Sequence, residues 1–442
     1  MQVNICTTEN LYGKFIQNKK KVCTDSRKII PDSIFFALSG ENFDGNKFAK
    51  DALEKGCAYA VVSNPEVVID ERYLLVNDVL VSLQDLARHH RKQFSIPVIG
   101  ITGSNGKTTS KELIHAVLSK KFNTLATIGN LNNHIGVPLT LLRLDESYEM
   151  AVIEMGANHV GEIKTLSEIA LPDYGVITNV GKAHLEGFGG FEGVKKGKAE
   201  LYDFLKFNKG IAFLHADDVD LMGMASGLEK KVTYGTNKLY DVVGKLVDSE
   251  NFISFKWKTR YTASQLVGAP VINTHLVGKY NYFNLLCAAC IGNFFRVEED
   301  LINEAITSYL PTNNRSQFIT TPKNRLILDM YNANPTSMQA ALENFIQLNA
   351  IEKVVILGDM LELGEETEAE HIKVVQLVNE KSIVCFFVGK NFYALKDKFT
   401  GSFFIDVKSA LNYFSGHQQN NKTILIKGSR GVKLEELLPA LS

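Results

Sequence analysis

Residues 103–109 read Gly-Ser-Asn-Gly-Lys-Thr-Thr, placed between the apolar run PVIGIT and the helical pattern KTTSKELIHAVLSKKF. Glycines let the backbone curl its N–H groups around a phosphate, and a helix starting at the end of the turn adds the positive end of its dipole. Gly103, Ser104, Asn105, Gly106, Lys107, Thr108 and Thr109 are therefore expected to hold the phosphates of ATP. Lys107 would neutralise the β- and γ-phosphates, and the Thr108 hydroxyl would ligate Mg²⁺. The usual GxxxxGK[ST] spacing is not met, because Ile101 stands five residues before Gly106; the loop reads G-x-x-G-x-x-G-K-T-T from Gly100.

Two further residues follow strand-like runs, where an open α/β sheet places its ligands. Glu154 closes the run AVIE, and a carboxylate there would hold Mg²⁺ opposite Thr108. His184 lies in TNVGKAHLEGFGG, directly after YGVITNV, in a glycine-rich loop that allows close approach to a ligand. Lys198, in KKGKAELYDF, reads by residue type alone as a solvated lysine on a polar helix face. Cys287 and Cys290 form a C-x-x-C inside the apolar run LLCAACIGNFF with no second pair nearby, which marks them as buried helix residues and not a metal site.

The elements that must position these groups fall into three blocks of α/β character. The chain has 442 residues, more than one hydrophobic core accommodates. Residues 1–95 hold the short apolar runs SIFFAL, AYAVV and YLLV, as expected of a small mixed α/β domain. Residues 96–313 alternate strand-like with amphipathic stretches, the pattern of a doubly wound sheet. Residues 314–442 repeat that logic with RLILDM, KVVILGD, IVCFFVG and TILIKG and read as a Rossmann-like domain. Its first strand is not followed by GxGxxG, so no dinucleotide is indicated. Asn334 before Pro335 is a natural helix N-cap.

With 48 Lys+Arg against 49 Asp+Glu, the chain carries no global positive field that would draw nucleic acid or an anionic membrane. The start MQVNICTTENLYGKF lacks the features of a signal peptide, and no stretch approaches the ~18 apolar residues of a membrane span. Six scattered Cys form no disulfide framework. A cytoplasmic protein without a membrane span is expected.

Taken in order, GITGSNGKTT, EMGA and NVGKAHLEGFGG resemble the Mur ligases of peptidoglycan synthesis. The resemblance extends over nearly the whole chain. TDSRKIIPDSIFFALSGENFDGNKF resembles the UDP-binding domain of the family, and TIGNLNNHIGVPLTLL, DMYNANPTSMQAAL, ILGDMLELGE and IKGSRG resemble the members that add the terminal dipeptide. The members that add the third amino acid carry an Asp-Asn-Pro-Arg motif, absent here, and folylpolyglutamate-type ligases lack the UDP-type first domain.

The resemblance implies a monomeric ATP-dependent ligase that joins D-alanyl-D-alanine to UDP-N-acetylmuramoyl-tripeptide through an acyl phosphate. It implies a UDP-sugar-peptide domain over 1–95, an ATP domain over 96–313 and a dipeptide domain over 314–442, with two Mg²⁺ sites. By the same token Lys107 stabilises the transferring phosphoryl group, Thr108 and Glu154 hold one Mg²⁺, His184 serves the second and Lys198 becomes a carbamate. Asn281 recognises adenine; Arg315, Asp329, Tyr331 and Asn332 belong to the segment that closes over the nucleotide. Asn132, Asn133, Ser26 and Arg27 lie on the substrate side, although a Thr-Asp-Ser-Arg turn is equally explained by local capping. The family often has His where this chain has Tyr280, which is given no role. The loops 359–364 and 427–430, at strand ends of the third block, are expected to select the amine. A nucleotide-dependent switch, which hydrolyses without transferring to an acceptor, is the alternative of a different class.

Overall fold

The structure is a computed structural model that describes residues 4–247, 251–312, 314–350 and 352–442. Residue 313, the expected end of the central domain, lies outside the described residues. The chain divides into two compact units, Met1–Ile101 with Phe122–Gly156 and Glu162–Tyr174, and Thr102–Lys121 with Ala157–Gly161 and Gly175–Ser442.

In the first unit, Val22–Cys23, Ile34–Phe36, Tyr59–Val62 and Tyr73–Leu75 form a four-stranded parallel sheet in chain order. Its strands are short because each buries only a few side chains, among them Phe35, Ala60 and Val62, against Ala49, Ala52 and Leu53. Helix Val79–Arg91 is N-capped by Asp78, whose side chain accepts from Val81 N at 2.9 Å. The helix ends on Arg91, 6% exposed, whose guanidinium donates to the carbonyls of Phe94, Ile96, Ala170 and Leu171 and to the carboxylate of Asp173. That fork fixes the path of the chain into the next strand, Val98–Thr102. This strand pairs in parallel with Met150–Glu154, which pairs with Thr124–Ala126. Every residue of Val98–Thr102 and Met150–Glu154 is buried, which is why both read as unbroken apolar runs and not as alternation.

The second unit holds all but the first residue of strand Tyr174–Ile177, and Ile211–His215, Lys230–Gly235 and Val242–Val247, which pair in parallel in that order, followed by an antiparallel continuation through Ser254–Thr259 and Ile272–Asn273. Helix Tyr282–Phe294 is apolar all round and buried, and it carries Cys287 and Cys290 as core residues. Burial pushes the Cys287 thiol up to about 12. A six-stranded sheet follows in the order Gln317–Thr320, Arg325–Asp329, Thr423–Lys427, Lys353–Gly358, Val384–Val388, Ser402–Phe404, parallel except for the first hairpin. Helix Pro335–Gln347 starts with a capping box between Asn334 and Ser337. Among the described residues no helix is long and apolar enough to cross a membrane.

Candidate functional site

The loop after Thr102 is shaped by two glycines that nothing else can replace. Gly103 has φ 140°, and a Cβ there would lie 2.0 Å from Thr178 Oγ1; Gly106 has φ 77°, and its Cβ would lie 2.8 Å from Asn284 Oδ1. Helix Lys107–Leu118 starts at Gly106 without a side-chain cap, the form of N-terminus that receives a phosphate. Lys107 Nζ donates back to the loop carbonyls of Gly103 at 2.7 Å and Ser104 at 3.2 Å, so its charge is held over the turn.

The loop is braced by the segment after strand Tyr174–Ile177. Ser104 Oγ donates to Gly181 O at 3.0 Å and accepts from Gly181 N at 2.9 Å. Asn105 N donates to Asn179 Oδ1 at 3.0 Å, and Asn105 O accepts from Thr178 Oγ1 at 2.6 Å and Asn179 Nδ2 at 3.0 Å. Ser104 and Asn105, expected at the phosphate, thus use their polar groups largely to hold the loop in shape. Thr178 and Asn179 are bracing residues that the sequence reading did not single out; two polar residues ending an apolar strand beside the glycine loop were the available signal.

The third block meets this loop directly. Asn334 Nδ2 donates to Asn105 Oδ1 at 2.7 Å, and Lys182 N donates to Thr336 Oγ1 at 2.9 Å. Capping alone therefore does not account for Asn334. Lys182 Nζ pairs with Glu370 at 2.8 Å and Glu366 at 3.2 Å. Its hydrogen bond to Glu370 raises the Lys182 pKa. Burial pushes Glu370 upward, but Lys182 and Lys373 together hold it below the usual carboxylate range. His184, in left-handed backbone at φ 53°, pairs through Nδ1 with the Glu362 carboxylate, and that bond lowers the Glu362 pKa. The expectation of a metal role for His184 thus meets a carboxylate partner from the third block.

Several residues assigned to nucleotide closure sit together in this unit. Lys427, 1% exposed, donates to Asp329 Oδ2 at 2.6 Å and Asn332 O at 3.3 Å. The Arg315 guanidinium lies 3.6 Å over the Tyr331 ring and that of Arg430 lies 5.5 Å from it. Arg315 Nε is buried without a hydrogen-bond partner among the described residues, as an N–H reserved for an anionic ligand would be. Asn281, 3% exposed, is enclosed in side-chain hydrogen bonds to Asn284 and Ser316. In the loops expected to select an amine, the Asp359 carboxylate accepts from Asn391 N at 2.9 Å and Phe392 N at 3.0 Å, and the residue is 4% exposed. Leu361, Glu362 and Arg430 remain exposed there.

Lys198 corrects its first-principles reading. It is 2% exposed, on the buried face of helix Phe191–Phe207, with Nζ donating to Ala157 O at 3.3 Å and lying 5.0 Å from the Phe188 ring centroid. In the first unit, Glu154 is 1% exposed and its Oε1 accepts from Asn132 Nδ2 at 2.8 Å. Asn132 is thereby an orienting group for the acid. Asn133 Oδ1 accepts from Ile135 N at 3.2 Å and Gly136 N at 2.9 Å, a local turn at the start of helix Gly136–Leu141. Arg27 pairs with Asp25 at 2.8 Å with its side chain 86% exposed, and its hydrogen bond holds Asp25 at about 2. With Ser26 between them, these residues form the local turn that the sequence left open as the alternative. Among the described residues no group of three or more His, Cys, Asp or Glu could hold a metal ion. Magnesium does not require one, since it keeps several waters and uses one or two carboxylates with phosphate oxygens. The carboxylate of Glu154 is a hard oxygen donor of the kind that demand calls for.

Comparison with known proteins gives three matches along the chain: the Mur ligase family catalytic domain over residues 20–92, the Mur ligase middle domain over 101–292, and the Mur ligase glutamate ligase domain over 314–430. The chain is 36% identical over 429 residues to the UDP-N-acetylmuramoyl-tripeptide–D-alanyl-D-alanine ligase of Escherichia coli K12, covering 95% of this chain and 93% of that protein. Among solved structures it resembles MurF from Acinetobacter baumannii, with a TM-score of 0.84 at 32% identity over 95% of this chain and 93% of that one. It also resembles the MurF ligase of Thermotoga maritima in complex with ADP, with a TM-score of 0.84 at 26% identity over 96% and 97% of the two chains.

Proposed function

The chain belongs to the Mur ligase family, and from that premise we propose that it joins D-alanyl-D-alanine to a UDP-N-acetylmuramoyl-tripeptide with conversion of ATP to ADP and phosphate. The observation that carries the reading is the hydrogen bond from Asn334 to Asn105. It ties the third block, where an amine would be held, to the loop that presents the γ-phosphate. On this reading residues 1–95 hold the UDP-sugar-peptide, 96–313 the ATP and 314–442 the dipeptide, in a cytoplasmic monomer.

The carboxylate oxygen of the tripeptide attacks the γ-phosphorus, the bond to the bridging oxygen of ADP breaks, and an acyl phosphate forms. The amine nitrogen then attacks the acyl carbon, phosphate departs with its oxygen, and the amine loses a proton. Lys107 leaves the carbonyls of Gly103 and Ser104 for the phosphoryl oxygens and offsets the charge gathered there in the transition state. The N-terminal turn of helix Lys107–Leu118 acts in the same sense. Arg315 Nε–H is the donor held for the nucleotide. Thr108 and Glu154, the latter oriented by Asn132, would hold Mg²⁺, which when bound neutralises phosphate charge.

His184 belongs to the second metal in this reading, with Glu362 fixing its ring. Lys198 is the carbamate: its free amine adds to CO₂, an N–C bond forms, a proton leaves, and the side chain turns from cation to anion. Burial against Phe188 supports that assignment, since a group so placed is not a solvated surface lysine.

The test is ADP release by the purified chain given UDP-muramoyl tripeptides with and without D-alanyl-D-alanine. ADP formed in step with amide product is the expected result. Slow hydrolysis indifferent to both acceptors would make the protein a switch instead.

A further inference from the structure

Arg430 follows strand Thr423–Lys427 and is exposed, while the backbone that carries it is fixed. Ser429, 4% exposed, ties three strand-end loops together. Its N–H donates to Asp359 O at 3.1 Å, its hydroxyl donates to Ala333 O at 3.3 Å, and the same Oγ accepts from Leu361 N at 3.1 Å. A turn follows, closed by Val432 N to Ser429 O at 2.9 Å and Lys433 N to Arg430 O at 3.1 Å. The Arg430 side chain thus stands on a rigid base at the carboxyl ends of parallel strands, where α/β sheets receive ligands.

Two guanidiniums gather on one ring here, Arg315 at 3.6 Å and Arg430 at 5.5 Å from the centroid of Tyr331. Among the described residues neither side chain forms an ion pair or a hydrogen bond. The acids of the same strand ends are occupied elsewhere. Asp329 pairs with Lys427 at 2.6 Å, Asp359 accepts from Asn391 N and Phe392 N, and Glu362 pairs with His184. Two cations held close without a counter-charge favour an anion beside them. The ring attracts the charge of a guanidinium, but the N–H donors of its planar fork, which matches a carboxylate, are left without partners. Beside the base of Arg430 the surface is apolar: Leu361 is 42% exposed, and a Cβ added to Gly431 would lie 2.9 Å from its Cδ1.

We propose that Arg430 binds the free carboxylate of the amine substrate, a small apolar amino acid or peptide, with Tyr331 and Leu361 as the apolar surfaces beside it. The proposal rests on the reading of the chain as a ligase whose amine substrate is D-alanyl-D-alanine. That dipeptide brings one carboxylate, which takes no part in the reaction and stays ionised throughout. On the same reading Arg315 is held for the nucleotide, so Arg430 is the guanidinium of this pair left for a second anion. A carboxylate met by a guanidinium fork is held in direction as well as in place. Anchored there, the dipeptide has its amino end as the only end free to reach the acyl carbon.

The experiment compares D-alanyl-D-alanine with its C-terminal amide as acceptors for wild type, Arg430→Ala, Arg430→Lys and Arg430→Gln, reading kcat and KM for each acceptor and KM for ATP. Wild type is expected to favour the acid over the amide about ten- to a hundred-fold in kcat/KM, the worth of hydrogen bonds between charged groups. Arg430→Ala should remove most of that preference by weakening use of the acid, with the amide and the KM for ATP near their wild-type values. Arg430→Lys should keep part of the preference, because the charge remains and the fork does not. A wild type that uses acid and amide equally well overturns the proposal and leaves the ligase reading standing, as does an Arg430→Ala variant that keeps the preference. If Arg430→Ala raises the KM for ATP and leaves the acid-to-amide ratio as it was, the guanidinium serves phosphate and the proposal is wrong. If wild type forms no ligated product with either acceptor, the ligase reading fails and the proposal with it. Should Arg430→Ala not fold, Arg430→Gln keeps a polar side chain there without the charge, and the same outcomes decide.

Discussion

Removing Lys182 tests how the third block is held to the phosphate loop. The ammonium lies 2.8 Å from Glu370 and 3.2 Å from Glu366, and the two carboxylate side chains are 7% and 46% exposed against 39% for the lysine. Opposite unit charges near 4 Å attract by about 4 kcal/mol at an effective dielectric near 20. Lysine and Glu366 both face solvent, however, and pairs so screened are worth roughly 0.2–1 kcal/mol. Glu370 keeps Lys373 at 2.8 Å when Lys182 is gone, so no carboxylate is stranded. Lys182→Ala should therefore cost the docking of the third block about 1 kcal/mol, roughly a five-fold rise in KM for the amine substrate, with little change in Tm. Raising ionic strength from about 0.05 to about 0.5 M should shrink the difference between variant and wild type.

The pH dependence has a defined sign on each flank. Glu370 has a depressed pKa, so its contribution is present above the unfolded value of about 4.3 and is lost as pH falls through the folded one. Lys182 has a raised pKa, so its contribution is complete below about 10.4 and is lost as pH rises through the folded value. Amine KM should be flat between these limits as far as this pair is concerned. A double-mutant cycle with Glu370→Gln that gives a coupling under about 0.3 kcal/mol at low salt refutes the ion pair as a tether.

Lys107→Ala should lower turnover about 10²-fold or more while leaving the chain folded, since it removes a charge aimed at the transition state; ligation within a few-fold of wild type would rule out the phosphate role. Lys198→Ala should lose most activity and regain part of it in acetate, whereas Lys107→Ala should not respond; equal activity of Lys198→Ala and wild type in CO₂-depleted and CO₂-rich buffer would return Lys198 to a packing role. His371 is fully buried, its Nε2 accepts from Met360 N at 3.1 Å, and burial lowers its pKa. Its contribution is thus present above about pH 6.5 and lost as pH falls toward the folded value, so the decline in Tm from pH 7 to 5 should be shallower in His371→Gln; an unchanged slope excludes His371 as the titrating group.

The elements legible in the sequence were those whose burial is two-sided. RLILDM, KVVILGD and TILIKG became Arg325–Asp329, Lys353–Gly358 and Thr423–Lys427 because a parallel strand covered on both faces leaves a continuous apolar run. The antiparallel pair Val242–Val247 and Ser254–Thr259 escaped notice because only half its positions are buried and the others include Lys245, Lys256 and Lys258. Lys198 was misread by residue type, yet its spacing held the answer. Val194, Leu201 and Leu205 lie four before, three after and seven after it, which puts Lys198 on the apolar face of its own helix. Arg91, in the run RHHRK, was hidden for the same reason: a charged residue at a core spacing looks like surface until its partners are known.

What sequence could not supply was the set of partners, and the reason is physical. A phosphate loop is a property of consecutive backbone dihedrals, so Gly103 and Gly106 disclose it locally. Its bracing is a property of side chains delivered by other segments: Asn105 meets Asn179 at a separation of 74 residues and Asn334 at 229. Short polar side chains at strand ends and helix caps satisfy local rules equally well whether or not they also reach a distant loop. Asn334 does both, capping helix Pro335–Gln347 through Oδ1 while Nδ2 reaches Asn105. The cap needs only the oxygen, so the amide nitrogen is what distinguishes Asn from Asp or Ser at that position. A residue chosen for the cap alone could equally have been either of those; the presence of an amide is the trace that the contact between blocks leaves in the sequence.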